Sequence, residues 1–297
     1  MRFFKGLSCV LGLAGLASAK TGWKLDKSCK TDDLGTTISE ALLSAFNMAK
    51  DELDAINKVL NNEDLGDNGD NIRDVLKWMF MKDGEEPNQE RLGLLQRNLG
   101  TLVAANEDVK DEEPDPQTII VYCDFSRFES RSDNKWYDKD IGEVLEKGES
   151  FKSCESAGPT VAYTLVSGRT KPSQVQLCPW FIDWMRKDEI AGIRKLPKKS
   201  RVYDKLSTGL VKMDTLLSPI DVLSNLDKVI LHELTHTRNG GESKDVDDSN
   251  LLTVRYAWKR CRKLAKEGPT QITRQAQNNA DSIALAGSGM DYRSPFT

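Results

Sequence analysis

Histidine is almost absent: the 297-residue chain holds two, His232 and His236. Any imidazole-dependent chemistry is thereby confined to one place. Long apolar runs are missing as well. Leu7 to Leu16 is too short to span a bilayer well, and no later stretch approaches the ~20 residues that a membrane helix needs. Positive charge is not in excess. With 42 Lys and Arg against 46 Asp and Glu, the formal net charge is −4, which argues against a general nucleic-acid binder. No Asn-x-Ser/Thr sequon occurs, and no internal repeat or low-complexity tract is evident.

What is present begins with an export signature. Arg2 and Lys5 form a positive start, Leu7 to Leu16 is apolar, and Ala17-Ser18-Ala19 reads as a cleavage site. Residues 1–19 are therefore expected to be a signal peptide, with the mature chain secreted, extracellular and not held in a membrane. Removing them leaves 40 basic against 46 acidic residues and takes Cys9 away. Five cysteines remain: Cys29, Cys123, Cys154, Cys178 and Cys261. Exported thiols tend to pair, so two disulfides and one odd cysteine are expected, with the pairing open. None of them has zinc-knuckle spacing, so they read as structural.

The hydrophobic pattern predicts an α+β fold, mostly helical with a small β-sheet. Helices are expected over Thr37–Leu60, Ile72–Met81 and Pro87–Asn106, each with apolar residues three and four apart. An acidic, Pro-containing stretch from Glu107 to Pro116 follows, and reads as a linker. It divides a helical region, 20–116, from a strand-bearing domain, 117–297. In the latter, Thr118–Cys123, Val161–Val166 and Gln174–Phe181 are strand candidates. Ser126–Asp140 reads as a long surface loop. Two more helices are expected over Leu251–Lys266 and Ile272–Leu285.

Both histidines fall in His232-Glu233-Leu234-Thr235-His236. Residues four apart on a helix share a face, so the two rings can converge on one ion. The surrounding pattern is helical: Leu223, Leu226, Val229, Ile230 and Leu234 form a buried side, and Asn239-Gly240-Gly241 suits a left-handed cap. Two neutral imidazole ligands with a carboxylate beside the first form the His-Glu-x-x-His pattern of zinc peptidases. A satisfied pair of core histidines is the plainer reading of three matched letters. A catalytic zinc also wants a third protein ligand, here an oxygen donor, and Asp281, Glu242 and Glu267 are candidates.

Leu231 to Thr237, Tyr256, Cys261 and Asn279-Ala280-Asp281-Ser282 together resemble the aspzincin metallopeptidases, closest to secreted fungal proteins with a deuterolysin-like or lysine-specific metalloendopeptidase-like domain. The likeness covers Thr118 to Gly289, and Leu177 to Phe181 shares in it. It implies a zincin-like fold and endopeptidase activity on protein or peptide substrates. It further implies one Zn2+ held by His232, His236 and Asp281, with Glu233 as the catalytic base. One departure stands out. The family carries a tyrosine just after the ligand aspartate, where this chain has Ile283 and Ala284. Tyr256 or Tyr292 would have to substitute. The alternative expectation is a secreted zinc-binding protein without peptidase activity.

Overall fold

The computed structural model describes residues 21–31, 33–109, 113–132, 134–158, 160–187, 226–246, 258–271 and 275–290. The export signal, Tyr256 and Tyr292 lie outside them. Among the described residues the chain is a mixed α and β structure, mostly helical, with two small sheets.

Strand β1 (Trp23–Leu25) leads into helix α1 (Leu34–Leu60). Two further helices follow, α2 (Gly69–Phe80) and α3 (Gln89–Ala104). Each has the periodicity the sequence shows. In α1, Ile38, Leu42, Ala45, Ala49, Glu52 and Ile56 are buried at three- and four-residue steps. The Asn88 side chain caps α3 by accepting from the Arg91 amide, which satisfies a helix-end donor.

The central sheet has the order β1-β2-β7-β6, with β2 (Ile119–Tyr122), β6 (Ala162–Val166) and β7 (Ser173–Leu177). β1, β2 and β7 run parallel, and β6 pairs antiparallel with β7. Between β2 and β6 the chain forms an antiparallel meander, β3 (Phe128–Ser132), β4 (Lys135–Asp138) and β5 (Glu143–Glu146). Two of these strands occupy the stretch expected to be a loop. Their outward residues are charged or polar, so the apolar alternation that marks a strand is weak. The buried pair of Arg127 and Asp138, 3.2 Å apart, anchors the meander on the central sheet, because Arg127 also donates to Gln176 of β7.

Helix α4 (Glu149–Glu155) precedes β6, and α5 (Pro179–Lys187) follows β7. The strand expected over Gln174–Phe181 is cut at Leu177, since Pro179 suits a first helical turn and cannot donate to a ladder. The last helices are α6 (Leu226–His236), α7 (Trp258–Glu267) and α8 (Ala280–Met290). α1 packs on α3, α6 and α8; α2 packs on α7 and α8; and α6 lies against the edge strand β6.

The stretches on either side of residue 116 share one apolar core. β1 enters the sheet of the second stretch, and Cys29 is bonded to Cys123. The second disulfide joins Cys154 to Cys178, and the Cys261 side chain is buried. Across the 94 residues separating Cys29 and Cys123, restricting the unfolded chain is worth about 4–5 kcal/mol in the chain-entropy account. Among the described residues no helix is long and apolar enough to cross a membrane.

Candidate metal centre

Helix α6 carries the site because one of its faces is apolar and the other is not. Leu226, Ile230, Leu231 and Leu234 are buried in the core. His232 and His236 face a cleft of about 1050 Å³, lined also by Lys228, Glu233, Thr164, Glu242, Asp245 and Asp281. The helix stops at His236, and a tight turn brings the chain back along it. Gly240 is required there: a Cβ would lie 2.2 Å from the Leu234 carbonyl oxygen. Gly241 and Glu242 then take left-handed backbone angles, with φ of 84° and 54°. The Ser243 amide donates to the Thr235 carbonyl, which seals the return.

This return fixes both the second histidine and a carboxylate. Nδ1 of His236 lies 2.7 Å from the Ser243 carbonyl oxygen. A carbonyl can only accept, so Nδ1 carries the proton and Nε2 presents a lone pair to the cleft. Two residues on, Asp245 reaches the same spot. Its Oδ1 is 3.2 Å from Nε2 of His232 and 3.3 Å from Nε2 of His236. The two Nε2 atoms are themselves 3.2 Å apart. Donors bound at about 2.0–2.1 Å to a tetrahedral ion stand about 3.3 Å from one another. The three atoms therefore have the spacing of one face of such a tetrahedron, and His232, His236 and Asp245 can hold a metal ion.

The electrostatics agree with a site for positive charge. Burial opposes charge on His232, but the Asp245 and Asp281 carboxylates outweigh it and push its pKa up to about 10. Burial of Asp245 acts against its charge too, yet the two imidazoles hold its carboxyl far below the usual carboxylate range. Lone pairs facing each other at 3.2 Å repel unless a proton or a cation stands between them.

Asp281 is near the centre but outside the triangle. Its Oδ1 is 3.7 Å from Nδ1 of His232, the ring nitrogen turned away from His236 and Asp245. Lys228 Nζ lies 3.7 Å from the same oxygen, and the Cys261 thiol is 3.6 Å from Oδ2. The carboxylate that meets both Nε2 atoms is thus Asp245 rather than Asp281, because the turn after His236 folds back and the start of α8 abuts the far side of His232. Of the other candidates, Glu242 is exposed on the cleft rim, and Glu267 pairs with Lys263 at the end of α7.

The Asn278-Asn279-Ala280 stretch has a separate task. Asn278 accepts from the Lys244 amide, the Ala280 amide donates back to Lys244, and the Asn279 side chain accepts from the Val246 amide. These bonds pin the loop that presents Asp245. Glu233 is buried beside the cleft, and the Thr164 hydroxyl donates to its Oε2 at 2.8 Å. Ile283 and Ala284 are fully enclosed in the core, so no hydroxyl comes from those positions. Sequence reasoning missed Asp245 and Thr164. The Gly240-Gly241 turn was the available sign that the chain doubles back within reach of the histidines.

Comparison of the chain with protein-family models, with curated proteins and with solved structures gives no match.

Proposed function

We propose that the chain is a secreted, zinc-dependent endopeptidase with a zincin-like fold of the aspzincin type. His232, His236 and Asp245 would hold one ion, and Glu233 would be the general base. The observation that carries this reading is the near-equilateral triangle of two imidazole nitrogens and one carboxylate oxygen, with sides of 3.2–3.3 Å, opening on a large cleft. Imidazole and carboxylate donors at tetrahedral spacing suit zinc, and among the described residues the group has three members, leaving a place for a reacting ligand. When bound, the ion supplies Lewis acidity to the scissile carbonyl and acidifies the attacking water.

The chain's own residues do the rest. Glu233 follows the first ligand on the helix and lines the cleft, where it takes the proton from the attacking water and delivers it to the leaving amine. Thr164 holds that carboxylate in place through its hydroxyl. Ser243 fixes the tautomer of His236. Asp281 stands at Nδ1 of His232, where a carboxylate orients a ligating ring and raises its basicity. On this reading Asp281 would be an outer partner instead of the ligand that the resemblance implies.

One observation favours a rival reading, a secreted zinc-binding protein without peptidase activity: the positions where the family places its tyrosine are apolar and enclosed. Glu233→Gln separates the two. On the peptidase reading the variant keeps zinc and stops cleaving casein. Equal cleavage by parent and variant, or none by the zinc-loaded parent, would overturn it.

A further inference from the structure

Strand β6 is the edge of the central sheet, and among the described residues no strand pairs with its outer side. It runs between two adjoining cavities, and a pleated strand sends successive side chains to opposite faces. Ala162, Tyr163, Thr164 and Val166 line the cleft with His232 and Glu233, and Leu165 does not. Leu165, with Tyr163 in ring contact with Phe151 at 6.2 Å, lines a second cavity of about 280 Å³. The other walls of that cavity are Phe128, Trp136 and Leu145 of the meander. Phe151 gathers its aromatic rings, with centroids 5.2 Å from Phe128 and 5.5 Å from Trp136. The two cavities adjoin, since Glu149, Ser150, Tyr163 and Thr164 border both.

We infer that this aromatic cavity is a specificity pocket for a large apolar side chain of an extended peptide substrate, lying one residue out of phase with the side chains that enter the metal cleft. An extended segment added along β6 sends successive side chains to opposite faces of the sheet. One face leads to Glu233 and the ligands, the other to the aromatic walls. An aromatic or long aliphatic side chain fits the wall chemistry. The inference rests on the peptidase reading for its substrate and on the cavity's own walls for its chemistry.

The test uses a library of blocked peptides and the full chain with zinc. Expected is enrichment of Phe, Tyr, Trp or Leu at one position near the cut, with no such preference at its two neighbours. Leu145 is half-buried on β5, away from the triangle. Leu145→Glu should cut the Phe-over-Gly ratio of kcat/KM at that position about tenfold or more and shift preference towards Lys and Arg. Leu145→Ala, the milder change, should keep the apolar preference but admit bulkier rings; thermal melts check both folds. Cleavage without an apolar preference, or one indifferent to Leu145, overturns the inference and leaves the peptidase reading standing. If the parent cleaves nothing, binding of the Phe and Gly peptides to the Glu233→Gln protein decides. Tighter binding of the Phe peptide, lost in Leu145→Glu, keeps the pocket while the peptidase reading falls; equal binding sinks both.

Discussion

Two carboxyl groups are buried around the α6 helix in opposite conditions. Glu52, on α1, is fully enclosed near Leu231 and Gly287, and among the described residues neither of its oxygens has a hydrogen-bond partner. Burial alone drives its pKa well above the ordinary value. Asp281, on α8, is nearly as buried but meets Lys228, His232 and the Cys261 thiol. The difference teaches that depth is not what makes a carboxylate useful. Asp281 has a cation and an imidazole beside it, whereas burial without such neighbours favours the neutral form of Glu52.

The comparison is sharpest at the triangle itself, where Asp245 has two imidazole partners. Asp245→Ala should weaken zinc binding by more than the roughly 100-fold that loss of an outer partner costs, measured by competition with a chromophoric chelator. Asp281→Asn comes next. It keeps the shape but drops the charge beside Nδ1, and should cost about 10–100-fold in the same titration. Equal losses for the two variants would erase the distinction between ligand and outer partner. Glu52→Gln should leave zinc affinity unchanged and act on stability alone. A carboxyl whose folded pKa is raised gives stability that is fully present below the unfolded value, about 4.5, and lost as the pH rises towards the folded one. Denaturant melts of the parent should therefore weaken above that pH with an extra slope that Glu52→Gln lacks. Identical slopes would mean that Glu52 finds a partner.

Much of the helical scaffold is legible in the residues. α1, α2 and α3 announce themselves because each buries one stripe, and the His-Glu-x-x-His helix does the same. The meander is not legible, because Glu129, Arg131 and Lys135 face water and mask its inward side. Cysteine number predicts two disulfides, but only the docking of β1 beside β2 brings Cys29 to Cys123. At the site, the spacing of His232 and His236 suffices for convergence because a helix fixes it. The third donor depends on a turn, and a turn's direction is set by contacts such as those of Asn279 with the returning loop, which no local pattern encodes. Asn279 and Asp281 draw notice in the sequence for a sound reason, as they do border the centre. Their parts there follow from which side of His232 the helix α8 approaches.

The bond between Cys29 and Cys123 bears on how the chain would respond to a cut between its two stretches. A nick between Val109 and Glu113 would leave both fragments covalently tied, with β1 still seated in the sheet and α1 still beneath the histidine helix. Losing the leading third would take β1 out of the sheet and α1 away from the histidine helix.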